Sequence, residues 1–282
     1  MIDETVREIR QMETHSSSVV AVKAARALTE LVGREYASLD AYERDLERNS
    51  NALRRANPSH ASLFTTQREV VESVVGEAAD VPEAKRRTRE AIERVVEAVE
   101  TGKRRTAERA ADTFVDGETV LTHDYSSTVL DAVDLAVADG VDLAVYVTEA
   151  RPRYLGRKTA RRLADLDGVD VHLLVDAAVG ELLPSCDRVV VGMDCIVEDT
   201  LYNRVGTFPI AATAAQVDVP VQVVGSSAKV IDEGFVFENE FRPPSEVSLE
   251  PLEGVTVENP AYDATPTHLL DAVFTDEGRV EP

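Results

Sequence analysis

Side chains able to do acid–base chemistry or to grip an anion gather in a few short segments in the C-terminal part of this 282-residue chain. Each closes an apolar run: Thr122-His123-Asp124-Tyr125-Ser126-Ser127, Thr148-Glu149-Ala150-Arg151-Pro152-Arg153, Asp176, Gly192-Met193-Asp194 and Gly225-Ser226-Ser227. Asp124 and Asp194 end different runs. If they face one another in an enclosed site their pKa values split, leaving one acid and one base. The competing reading makes either Asp a helix cap or a loop hydrogen-bond acceptor. Ser126, Asp176 and Ser226 taken singly read as N-caps of following helices, and their shared position at run ends favours a pocket. His123 and Asp124, neighbours on extended backbone, point to opposite faces and do not pair directly.

The stretch from Arg151 to Arg162 holds six of the 11 basic residues that follow residue 112, in a region carrying 31 acidic ones. Arg151 and Arg153 fall in a turn, and Arg157 and Lys158 open a helix whose N-terminal amides already favour an anion. A guanidinium fork grips phosphate oxygens bidentately, so this cluster points to a phosphorylated small ligand. The alternative is a solvated helix face paired with acidic neighbours, a reading that suits Arg161 and Arg162 best.

These residues need strands to aim them. Runs at 118–122, 143–148, 169–175, 188–191 and 221–224 are short and β-branched, with helical segments between them at 127–138, 158–166, 177–183 and 206–217. Continuous apolar strands alternating with helices predict a Rossmann-like, doubly wound, mainly parallel α/β sheet covered on both faces, with ligands bound beyond the strands' carboxyl ends. Before Phe114 the spacing is helical instead, as in Val19, Val22, Ala25 and Leu28, or Ala91, Val95, Val96 and Val99. The expectation is a helical domain of four to six helices at 1–112, followed by a Rossmann-like domain with the ligand pocket and dimer interface at 113–282.

The charge is divided the same way. Residues 1–112 carry 21 acidic and 19 basic side chains, so nearly all of the formal net charge of -22 belongs to the remainder. Such an excess argues against a general nucleic-acid surface, which needs a basic footprint. No apolar stretch is long enough to span a membrane, and the first 30 residues lack an apolar run of the signal-peptide kind. Two thiols, Cys186 and Cys195, without a Cys/His cluster exclude a disulfide scaffold or zinc ribbon. The protein is expected to be cytoplasmic and to need no metal or cofactor.

Four segments together resemble one family: Leu121-Thr122-His123-Asp124-Tyr125-Ser126-Ser127; Thr148-Glu149-Ala150-Arg151-Pro152 with Gly156; Gly192-Met193-Asp194 followed by Asn203-Arg204-Val205-Gly206-Thr207; and Asn259-Pro260-Ala261-Tyr262-Asp263-Ala264-Thr265-Pro266. Ser16-Ser17-Ser18 before Ala24-Ala25-Arg26 fits the helical start. The pattern is similar to the family uniting the alpha, beta and delta subunits of translation initiation factor 2B with isomerases of ribose-1,5-bisphosphate and 5-methylthioribose-1-phosphate. The resemblance implies a helical domain, a Rossmann-like domain, and dimers or higher homo-oligomers. It also implies a Cys directly after Thr-His in the isomerases, where this chain has Asp124, paired with the Asp that is Asp194 here. Cys195 is next to that Asp but in the wrong motif. An Arg-Pro-Thr phosphate segment of the isomerases is Asn57-Pro58-Ser59 here, whereas Arg151, Asn203 and Arg204 still match ligand-binding positions.

Without the Cys, the expected function is that of a regulatory, translation-initiation type member. Its pocket, with Arg151, Arg153, Ser126, Asn203 and Arg204, would sense a phosphorylated sugar or an AMP-like nucleotide while its surface docks protein, such as a translation initiation factor. The alternative is an aldose–ketose isomerase of a phosphorylated ribose, with Asp124 as acid in place of the thiol, Asp194 as base, and Arg151 and Arg204 on phosphate. A structural oligomer component with an empty pocket is a third reading. The acidic residues, set against only five Lys among 30 basic residues, also suggest a carboxylate surface adapted to high salt, where screening removes self-repulsion. The melting temperature is therefore expected to rise between low and molar KCl, which a thermal-unfolding series would check.

Overall fold

The computed structural model describes residues 2–11, 17–231, 234–250 and 252–280, so Ser16 lies outside it. Contacts cluster into two compact units, Met1–Gly102 and Lys103–Pro282. The first is built from helices α1 (Ile2–Gln11), α2 (Ser17–Ala27), α3 (Thr29–Val32), α4 (Leu39–Arg54), α5 (Ala61–Glu72) and the larger part of α6 (Val81–Ala111). Apolar residues at helical spacing meet in one core around Leu28, Leu31, Leu46, Leu53 and Leu63, all fully buried. Tyr42 is buried there too, and its hydroxyl bonds Thr88 Oγ1 at 2.7 Å, which spares it an unsatisfied polar group.

The second unit begins with the last turns of α6. Their Ala107, Ala110 and Ala111 pack with Phe114 against the strands that follow, so the helix outlasts the first unit. Strands β1 (Glu118–Thr122), β2 (Leu143–Thr148), β3 (Val169–Leu174), β4 (Arg188–Gly192), β7 (Val221–Val224) and β10 (Ala272–Thr275) run parallel in the order β3-β2-β1-β4-β7-β10, with β11 (Gly278–Val280) antiparallel at the edge. From β1 the sheet is built outward through β2 and β3 on one side and from β4 through β7 and β10 on the other, so β1 and β4 flank the switch point where a doubly wound sheet opens a crevice. The faces are sorted by alternation. Leu121, Val189, Val191 and Val223 join the cluster under α9 (Val179–Leu182) and α10 (Thr207–Gln216), while Val120, Val190 and Val224 join the cluster under α7 (Ser127–Ala138) and α8 (Leu155–Ala164).

The doubly wound fold is as expected, with three differences, the first being that β10 and β11 extend the main sheet beyond the five strands read from sequence. Edge strand β3 exposes Asp170, His172 and Leu173, so that strand is not covered on both faces. A second, four-stranded sheet of β8 (Val230–Ile231), β5 (Cys195–Val197), β6 (Thr200–Arg204) and β9 (Tyr262–Pro266) was not foreseen. Among the described residues no helix is long and apolar enough to cross a membrane.

One close approach sets the crevice. A Cβ on Gly156 would lie 1.8 Å from the Thr148 carbonyl oxygen, so the first turn of α8 abuts the end of β2 and only glycine fits. Gly156→Ala is expected to cost about 2–3 kcal/mol in urea unfolding. Gly180→Ala, where a Cβ would meet nothing within 4 Å, should cost far less.

Candidate active site

The carboxyl ends of β1 and β2 leave the strands through unusual backbone. Asp124 (φ 60°), Ala150 (φ 56°) and Tyr154 (φ 58°) all occupy the left-handed region, which non-glycine residues rarely adopt and which collects at functional sites. Local bonds hold these turns. Thr159 Oγ1 donates to the Asp124 carbonyl at 2.6 Å, and the Asp176 carboxylate accepts the amides of Ala150 and Arg151 at 2.8 and 2.7 Å. The Arg151–Pro152 peptide is cis. His123, buried, is used up by Thr148 Oγ1 at 2.6 Å and the Val205 carbonyl at 2.9 Å.

The chain leaves β4 at Asp194 and returns through the β5–β6 hairpin, which ends on Arg204. Arg204 Nε lies 3.5 Å from Asp124 Oδ2 and 3.7 Å from Asp194 Oδ2, with all three side chains largely buried. Its guanidinium also sits 4.7 Å from the centre of the Tyr262 ring. Burial opposes the Arg204 charge, but Asp194, Tyr262 and Asp124 together hold its pKa above the ordinary value. Burial pushes the Tyr262 hydroxyl up to about 12, so it stays protonated near neutrality. Behind Asp194, Lys229 Nζ donates to the Met193 carbonyl at 2.7 Å; burial lowers its pKa and Asp194 partly restores it.

A partly open cavity lies beside this group, lined by Asp124, Arg151, Arg153, Arg204, Arg242 and Asn259 among others. Arg242 is held by Glu246 through bonds of 2.8–3.1 Å and by Glu240 at 3.3 Å. Arg151 is exposed, with its Nη2 on the Val247 carbonyl at 3.3 Å. Arg153 reaches inward, and its pKa is lowered first by burial and then by Arg242 and Arg204.

Of the residues singled out from sequence, Asp124, Arg151, Arg153 and Arg204 share the cavity wall, and Asp194 joins them through Arg204. Ser126 and Asn203 are not on that wall. Ser126 caps α7, its Oγ accepting from Val129 N at 3.3 Å and touching Gly192, where a Cβ would lie 2.5 Å from that oxygen. Asn203 alternates with Arg204 on β6 and so points away, its amide donating to Thr207 Oγ1 at 3.1 Å. The rest of the cluster is surface: Arg157 bonds Glu149 at 2.6 Å, Arg162 pairs with Asp134, Lys158 covers the Tyr125 ring, and Arg161 is exposed. Cys195 is fully buried, its thiol is pushed upward by burial and so stays protonated, and it does not line the cavity. Sequence reasoning missed Arg242, Tyr262 and Lys229. For Arg242 a signal existed, since Arg242-Pro243 repeats the Arg-Pro pair of the Arg151 turn. Among the described residues no group of three His, Cys, Asp or Glu side chains could hold a metal.

Two carboxylates on one guanidinium form an electrostatic unit, because removing the cation leaves like charges facing in a poorly solvated space. Arg204→Gln is expected to destabilise the protein by about 3 kcal/mol at neutral pH. The added substitution Asp124→Asn should recover part of that loss, a non-additivity that a double-mutant cycle in urea would measure.

The model of the initiation factor 2 subunit family matches residues 13–282. The ribose 1,5-bisphosphate isomerase of Haloterrigena turkmenica is 32% identical over 295 residues, spanning 99% of this chain and 89% of that protein. A putative methylthioribose-1-phosphate isomerase of Archaeoglobus fulgidus is 30% identical over 309 residues, spanning 98% and 90%. A solved structure described as the Pyrococcus horikoshii translation initiation factor eIF-2B is 25% identical, with a TM-score of 0.81 over 100% of this chain and 97% of that one. Full-length relatives at about 30% identity thus carry isomerase names, and this corrects the expectation of a regulatory, translation-initiation type protein. That expectation rested on the missing Cys, with departures such as Asn57-Pro58-Ser59 pointing the same way, and it took no account of the geometry in which Asp124 is coupled to Asp194 through Arg204. The chain belongs to the initiation factor 2 subunit family.

Proposed function

We propose that the protein is an aldose–ketose isomerase acting on a phosphorylated ribose of the ribose-1,5-bisphosphate class. The observation that carries this reading is the Asp124–Arg204–Asp194 unit beside a cavity with guanidinium groups in its wall. The sugar becomes a ketose when its ring opens by taking a proton on the ring oxygen, the C2 hydrogen is removed as a proton and one is delivered to C1, and the C2 hydroxyl gives up its proton as the carbonyl forms, which restores the acid and leaves the C1–O–phosphate bond intact. Opening needs a proton donor at the ring oxygen, and enolisation needs a base at C2. In this reading Asp124, after taking up a proton, gives it to the ring oxygen from the cavity wall, and Asp194 acts as the base. Arg204 accompanies both, so proton movement between the ligand and the two carboxylates takes place beside a fixed positive charge that needs no reorganisation. Burial of Tyr262 and of the Arg204 side chain keeps bulk water from screening the pair. Full-length relatives named as sugar-phosphate isomerases support the same reading. In this account the enzyme works as a homodimer or larger homo-oligomer in the cytoplasm.

The test is incubation of the purified protein in molar KCl with ribose-1,5-bisphosphate and, separately, 5-methylthioribose-1-phosphate, following ketose formation. Turnover of the bisphosphate is expected, with kcat reduced about 10²- to 10⁴-fold in Asp194→Asn. No turnover of either compound, or an Asp194→Asn enzyme as fast as the parent, would overturn the proposal.

A further inference from the structure

Four arginines line the cavity, and their charges are balanced very differently. Arg204 has two carboxylates and Arg242 is bound by Glu246 and Glu240. Arg151 is exposed to solvent. Arg153 is the exception: its Nη1 is shielded from solvent and has no hydrogen-bond partner. A buried guanidinium nitrogen left empty costs its full desolvation, and here Arg242 and Arg204 add repulsion. A fold keeps such a group where a ligand completes it.

We infer that Arg153 is a substrate-binding residue that seats a phosphoryl group of the ligand, with the Arg242 side of the wall adjoining it, and that it sets the preference for phosphorylated sugars. This rests on reading the cavity as a sugar-phosphate site and names the residue that recognises the phosphate. A phosphate monoester carries close to two negative charges and three acceptor oxygens. It would supply both the missing partner for Nη1 and the counter-charge for the converging guanidinium groups. Arg151, on the same turn, is placed to reach the outer side of such a group. Asp124 lies on the same wall, so a phosphate held here presents the sugar to the acid–base pair.

A purely structural Arg153 and a ligand-binding one differ in the empty protein. If Arg153 awaits an anion, Arg153→Met removes a partly buried charge that Glu246 and Asp124 offset only in part, and the ligand-free melting temperature should hold or rise. Inorganic phosphate should raise the melting temperature of the parent protein in KCl, fail to do so for Arg153→Met, and do so partly for Arg153→Lys. In turnover, Arg153→Met should raise KM for ribose-1,5-bisphosphate about 10- to 100-fold with a much smaller change in kcat. Arg161→Met, an exposed change on the outer part of α8, should behave as the parent. Phosphate protection in Arg153→Met equal to the parent's, no protection of the parent, or a large drop in ligand-free stability would overturn the inference. Failure of the isomerase reading looks different: phosphate protection that depends on Arg153 with no ketose formed. Conversely, turnover with KM unchanged in Arg153→Met removes the seat and leaves the isomerase standing.

Discussion

The site depends on one electrostatic constraint: a largely buried guanidinium, Arg204, shared by two carboxylates from different strands of the parallel sheet. Each ion alone would be costly to take out of water, and together they are tolerated because opposite charge is within reach. Much of the neighbouring structure serves that arrangement. The β5–β6 hairpin delivers Arg204, the Tyr262 ring covers it, and Lys229 ties down the Met193 carbonyl beside Asp194. Asp263 accepts the Gly206 and Phe208 amides at 2.7 and 3.1 Å, fixing the start of α10 directly after Arg204. Gly206 itself adopts φ 110° and leaves room for His123, whose ring a Cβ would meet at 2.6 Å.

This arrangement gives meaning to the replacement that sequence reading took as a sign of lost activity. Asp124 occupies the place where the family resemblance implies a thiol. A carboxyl group can give and take a proton as a thiol can, and here it is supported by a cation that also supports its partner. Relatives at about 30% identity carry isomerase names. In the proposed mechanism the role of position 124 depends on the company of its side chain, and sequence shows only the side chain.

Five of the six parallel strands were legible because they are short β-branched runs between helical segments, and β1, β2 and β7 were read with the bounds they have; β10, only four residues long and with no helix after it, was not read. The second sheet was not. Its hairpin turns on Glu198 and Asp199, with Glu198 at φ 50°, and lacks the Gly or Asn that marks a tight turn. The strand β6 reads Thr-Leu-Tyr-Asn-Arg, too polar to stand out among apolar runs. Ser126 and Asn203 were placed in the pocket because residue type and proximity to a motif cannot show on which side of a turn or strand a group falls. Arg153 could be nominated from its cluster, but the unfilled nitrogen that distinguishes it from Arg157 exists only in three dimensions.

The central claim is that the Asp124–Arg204–Asp194 unit and the arginine wall form one sugar-phosphate site. A crystal structure of the Asp194→Asn variant with ribose-1,5-bisphosphate tests it most directly. The account predicts a phosphoryl group on the Arg153 guanidinium and the first two sugar carbons within reach of residues 124 and 194. Ligand bound elsewhere, with the Arg153 nitrogen still empty, would contradict it.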